Sequence, residues 1–149
     1  EAGRTLALAE SCTGGMIATR LTDVAGSSEV FPGGVVAYAN EAKVSLLGVS
    51  PESIARWGAV SEEVAREMAA GARRRFGASA GLAVTGVAGP SGGTPEKPVG
   101  TVHLALDAES GSRHERLTLV GDRAMIRRWT TSAALGMVRS WLNEGGGAK

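Results

Sequence analysis

The stretch Ala9-Glu10-Ser11-Cys12-Thr13-Gly14-Gly15 sets two hydroxyls and a thiol in a row, directly before two glycines. Such a row can supply a nucleophile. The glycines let a ligand approach the backbone closely. N–H groups at a helix start can hold an anion, either a phosphate or the oxyanion that develops when an acyl group is attacked. The same residues would also serve as an ordinary capped turn. They are not a phosphate-binding P-loop, which needs a lysine at a different spacing. A second group, Tyr38-Ala39-Asn40-Glu41-Ala42-Lys43, carries an amine and the chain's one tyrosine. Lys43 reads either as a reacting amine or as a solvated helix lysine. Tyr38 reads either as a site residue or as a core aromatic with its hydroxyl at the surface.

These groups matter only if the fold brings them together. Thr5 to Ala9 is a short apolar run ending in the polar cluster, and Met16, Ile17, Leu21 and Val24 then follow at helical spacing. Pro32-Gly33-Gly34 punctuates the chain before a second strand, Val35 to Ala39. Asn40 can cap a helix through Leu47, which Gly48 ends. Ser50-Pro51-Glu52 opens a short helix to Gly58, and Ser61-Glu62-Glu63 opens a longer one to Phe76. Leu82 to Thr85 is a third strand. Gly86 to Gly100 is a long irregular stretch of the kind that carries function. Thr101 to Leu106, a hairpin turn over 107–112, and Glu115 to Val120 follow. Asp122 then caps a last helix whose apolar positions include Met125, Ile126, Trp129, Ala133, Met137, Val138, Trp141 and Leu142.

This order implies a three-layer α/β/α domain with a mixed five-stranded sheet. Its fourth strand is antiparallel to the third and fifth, because neither connection holds a helix. In a parallel sheet the carboxyl ends of neighbouring strands share a rim where ligands bind. Ser11 and Lys43 follow strands one and two, so both belong on that rim.

One domain is expected over 149 residues, with a loose tail from residue 144. Net charge is +1, which argues against broad binding of nucleic acid. One cysteine and two histidines, His103 and His114, are too few for a Cys- or His-based metal cage, so no metal and no cofactor are expected. No apolar run approaches the ~18 residues of a membrane span, and no signal peptide is visible, so the expected compartment is the cytoplasm. The start at Glu1, almost inside a strand, suggests that a segment precedes it.

Six blocks occur in order: Ala9 to Gly15, Ala25-Gly26-Ser27-Ser28, Tyr38 to Lys43, Gly58-Ala59-Val60-Ser61, Gly86-Val87-Ala88-Gly89-Pro90, and Lys97-Pro98-Val99-Gly100-Thr101. Together, over residues 5–142, they resemble the CinA C-terminal domain family, also described as nicotinamide-nucleotide amidohydrolases. The resemblance implies the fold read above. It also implies hydrolysis of nicotinamide mononucleotide to nicotinic acid mononucleotide and ammonia, without metal, by a serine/lysine mechanism. Carried over by motif, Ser11 is the nucleophile and Lys43 the base, with Tyr38 assisting. Some members carry an additional N-terminal domain, which stays open for this chain.

A lysine has an ordinary pKa near 10.4, so for Lys43 to be mostly neutral at pH 7 it must fall by roughly three units, about 4 kcal/mol. Confinement, or a nearby cation such as the substrate's pyridinium, can do this. Lys43 is therefore expected in a confined pocket. Donors for the oxyanion are expected near Thr13, Gly14 and Gly15. Asn40, Thr85 and Gly86 are expected on the same rim, and Lys97 or Arg123 on the phosphate. Cys12 reads as buried and inert, and Glu10 as orienting the turn or pairing with Lys43. Arg127 and Arg128 read as a solvated helix face, and Trp129 and Trp141 as core or dimer contacts in a homo-oligomer. Two other readings remain: a non-catalytic nucleotide-binding domain, and an interaction module of a competence or repair system.

Overall fold

The computed structural model describes residues 3–145. Its elements are β1 (Leu6–Glu10), α1 (Met16–Thr22), a 3-10 turn (Ser27–Glu29), β2 (Gly33–Val36), α2 (Asn40–Leu47), α3 (Pro51–Trp57), α4 (Glu62–Phe76), β3 (Ala80–Gly86), β4 (Thr101–Ala108), β5 (Gly111–Thr118) and α5 (Arg123–Glu144). The five strands form one sheet in the order β2-β1-β3-β4-β5. β1 runs parallel to both neighbours, with Leu8 opposite Gly34 on one side and Leu82 on the other. β4 is antiparallel to β3 and to β5, as the connections require.

The two faces of the sheet are built differently. Alternation along the strands sends Leu8, Leu82, Leu104 and Leu106 to one face, against Ile126, Met137 and Trp141 of α5 and Ile17 of α1. It sends Ala7, Ala9, Ala83 and Ala105 to the other, against Val64, Met68, Ala69 and Ala72 of α4. The alanine face brings α4 very close. A Cβ on Gly81 of β3 would lie 2.0 Å from the Ala69 carbonyl oxygen, and one on Gly71 of α4 would lie 1.9 Å from that of Leu47. α2 is thereby pinned beside α4, which fixes where its lysine points.

Several boundaries differ from the sequence reading. β2 is Gly33–Val36, because its ladder with β1 ends where Glu10 pairs with Val36. Ala39, in extended conformation, is the N-cap of α2, and Asn40 is its first residue. α1 stops at Thr22, leaving Val24 outside it and 64% exposed. The β4–β5 turn is tight, with Ala108 paired to Gly111, so β5 starts earlier than the composition suggests. Trp129 is exposed, because it lies off the buried stripe of α5 that runs through Ile126, Thr130, Ala134 and Met137. Glu144 is helical and accepts a 2.9 Å hydrogen bond from Arg113, so residue 144 is not part of the expected loose tail. Residues 146–149 of that tail lie outside the described residues. Among the described residues no helix is long and apolar enough to cross a membrane.

Gly71 offers a test of the close packing. Gly to Ala in an open helix stabilises by about 1 kcal/mol. Here the added methyl meets backbone, so Gly71→Ala is expected to destabilise by about 1–3 kcal/mol in urea denaturation. Equal or greater stability would contradict the packing described.

Candidate active site

The turn after β1 is held by Glu10, whose carboxylate is buried. It accepts the Thr13 hydroxyl at 2.6 Å and the Ile17 and Ala18 N–H groups at 3.0 Å each. These are donors that the start of α1 would otherwise leave unpaired, and the positive end of the helix favours a carboxylate there. Gly14 and Gly15 take positive φ, 59° and 104°, which makes the bend possible. From outside, the Arg127 guanidinium donates to the Cys12 carbonyl at 3.0 Å and to that of Thr13 at 3.2 Å. Arg127 is thus a structural clamp and not part of a solvated face. Glu10 orients the turn and does not pair with Lys43.

Ser11 leaves this turn with its N–H on the Val84 carbonyl, 3.2 Å away, which extends the β1–β3 ladder by one residue. Its Oγ lies 3.2 Å from Lys43 Nζ. Lys43 comes from the first turn of α2 and reaches back to the end of β2. Its Nζ lies 2.9 Å from the Ala37 carbonyl oxygen and 3.3 Å from that of Tyr38. The side chain is 2% exposed. None of these three partners is an acid. Burial therefore holds the amine below the ordinary lysine range, against an opposing pull from Cys12. A neutral amine satisfies the same geometry. Its two N–H bonds go to the carbonyls, and its lone pair faces the Ser11 hydroxyl.

The pair sits in a cleft of about 210 Å³, walled by Cys12, Asn40, Ala59, Val60, Thr85, Gly86 and Ala88, with Tyr38 and Arg123 at its mouth. Thr85 donates its hydroxyl to the Ala59 carbonyl at 2.8 Å, tying β3 to the segment before α4. Arg123 bridges the mouth, donating to Tyr38 Oη at 2.8 Å and to the Gly89 carbonyl at 2.9 Å. Other expected site residues lie elsewhere. Thr13 is buried with its hydroxyl on Glu10. The space beside Gly14 is filled by Arg127 and that beside Gly15 by Val36, and the Gly14 N–H donates to the Ser11 carbonyl. Lys97 donates to the Trp57 carbonyl and does not line the cleft. His103 and His114 face each other at 2.8 Å, also outside the cleft, and burial pushes His103 down to about 4. Cys12 and Thr13 make no backbone hydrogen bond through their N–H groups among the described residues. Sequence reasoning missed the clamp from Arg127 and the walls from Ala59, Val60 and Ala88. The Gly58-Ala59-Val60-Ser61 block was the available signal for two of these walls.

The fold and site define an α/β/α domain that pairs a serine and a buried lysine at the rim of a parallel sheet. Residues 1–142 match the model of the CinA C-terminal domain, and the chain belongs to that family. It is 58% identical over 142 residues to a CinA-like protein of Citrifermentans bemidjiense, covering 95% of this chain and 34% of that protein. It is 54% identical over 146 residues to one of Mycolicibacterium gilvum, covering 97% and 35%. The chain thus spans about a third of the length of these curated relatives. The solved structure of competence/damage inducible protein CihA from Agrobacterium tumefaciens superposes with a TM-score of 0.90 at 47% identity, over 93% of this chain and 85% of that one. A CinA superfamily protein from Enterobacter cloacae gives 0.90 at 35% identity, over 95% and 83%.

Cys12, next to Ser11, provides a check on the site's environment. Burial pushes its thiol up to about 11. The thiolate is the reactive form. At pH 8 the folded protein should therefore react with a disulfide reagent at least about a hundredfold more slowly than the unfolded chain. Equal rates would show the turn to be open.

Proposed function

We propose that this domain hydrolyses the carboxamide of nicotinamide mononucleotide, giving nicotinic acid mononucleotide and ammonia. The observation that supports this most is the 3.2 Å approach of Ser11 Oγ to a buried Lys43 amine with no acidic partner. An amide is a poor electrophile and a serine hydroxyl a poor nucleophile, so the site must supply a base within hydrogen-bond reach. Serine–lysine pairs are a known form of such a couple. Neutral Lys43 takes the Ser11 proton as Oγ bonds to the amide carbon. The Cys12 N–H, which lines the cleft and has no backbone acceptor among the described residues, is the donor for the resulting oxyanion. Lys43 then returns the proton to the nitrogen as the C–N bond breaks and ammonia leaves. Water attacks the acyl-Ser11 ester and gives a proton to Lys43, which passes it to Ser11 Oγ as the ester C–O bond breaks, releasing the acid and restoring the free hydroxyl and the neutral amine.

The cleft's size fits this division of labour. At about 210 Å³ it is smaller than the ~300–1,000 Å³ that encloses a drug-sized ligand. It takes the aromatic carboxamide and leaves the ribose and phosphate at the mouth. Arg123 stands there, with a planar fork suited to phosphate. Tyr38, in contact with Arg123, orients that group and helps to pass the proton to ammonia.

Ammonia release from nicotinamide mononucleotide tests this reading. Ser11→Ala and Lys43→Met should each lower the rate at least about a hundredfold while the fold survives. Because the base must be unprotonated, the rate should rise with pH through a transition below the ordinary lysine range. An acyl adduct trapped on the enzyme should map to Ser11. Mononucleotide binding with no ammonia released would mean a binding domain. Undiminished rates in either variant would remove the dyad.

A further inference from the structure

A second cleft, of about 490 Å³, lies between α1 and α5 and shares no lining residue with the first. Its floor is apolar, built by Met16, Met125 and Trp129, and its rim carries Arg20, Arg128 and Ser132. Trp129 is 58% exposed, which is unusual for so large an apolar surface with no core to serve. Arg20 and Arg128 are exposed, neither makes an ion pair among the described residues, and no acidic side chain lines the cleft.

We propose that this cleft binds a planar aromatic ligand that carries a phosphate, such as a purine mononucleotide. The volume lies within the range of small-molecule sites. The Trp129 indole and two thioethers offer a stacking surface for a flat ring. Two unpaired guanidiniums at the rim offer forked donors to a phosphate. The charge argues for this occupant over a second copy of the chain. A two-fold contact through the same face would gather four guanidiniums at one interface, with no acid lining the cleft to compensate. The ligand would sit against the catalytic turn without entering it. Met16 follows Gly15 directly, and Arg127, beside Arg128, holds the Cys12 and Thr13 carbonyls.

Calorimetric titration of the full chain at low salt tests this, with adenosine monophosphate as the probe and adenosine and inorganic phosphate as controls. One nucleotide should bind per chain, at least tenfold tighter than either control. Trp129→Ala and the double variant Arg20→Gln/Arg128→Gln should each weaken it at least tenfold, with unchanged thermal unfolding. No binding would overturn the proposal, as would binding that survives in both variants, since it would then belong to the cleft at Ser11. So would sedimentation showing that Trp129→Ala converts a nucleotide-free dimer to monomers, which would make the face a contact between copies. None of these results bears on ammonia release, so the two readings fail separately.

Discussion

The site depends on one amine being taken out of water without an acid to meet it. Lys43 is nearly inaccessible, and its hydrogen-bond partners are a hydroxyl and two backbone carbonyls. A buried lysine beside a carboxylate would keep its proton. Beside neutral acceptors, the cost of desolvation falls on the charged form alone. The two carbonyls also fix the direction of the lone pair. They occupy both N–H bonds of the neutral amine and leave the remaining position facing Ser11. Proton affinity and orientation thus follow from the same three contacts.

The rest of the domain serves to hold those contacts in register. β1 and β2 run parallel, so the residues following them emerge on one rim. The close approach of α4 through Gly71 and Gly81 pins α2, and with it the root of Lys43. On the serine side, Glu10 gathers the start of α1 from within, and Arg127 holds the turn's outward carbonyls from α5. Glu10 and Arg127 bring two opposite charges to the turn, yet neither is a partner of the amine. The long segment after β3 and the first residue of α5 meet through Arg123, which places a cation at the mouth and away from the buried pair.

Much of this was legible in the chain. The strand and helix periods, the Ser50, Ser61 and Asp122 caps and the helix-free connections around β4 sufficed for the layers and the strand directions, because each rests on local chemistry, whereas the order of the strands across the sheet came only with the structure. Ser11, Lys43 and Tyr38 stood out as reactive types on one rim. Contacts made by residues distant in sequence stood out less. Arg127 looks like any helix arginine until α5 is seen lying against a turn 115 residues earlier in the chain. Thr13 looks like a site hydroxyl until the buried Glu10 carboxylate claims it. Lys97 lies in a motif block yet points to Trp57, since a long flexible side chain takes whichever acceptor its loop brings near. Trp129 fits the apolar rhythm of α5 loosely, but the stripe the helix buries runs through Ile126, Thr130 and Ala134 and leaves Trp129 to one side.

The most direct test is the titration of Lys43 itself, followed by NMR of the chain labelled with carbon-13 at lysine Cε and assigned through Lys43→Met. One lysine signal should change charge state below the ordinary lysine range, vanish in that variant, and move back toward the ordinary value when Lys43 is exposed by unfolding. If Lys43 instead titrates with the exposed lysines of the folded chain, its amine is solvated and charged at neutral pH. The account of the site would then be wrong.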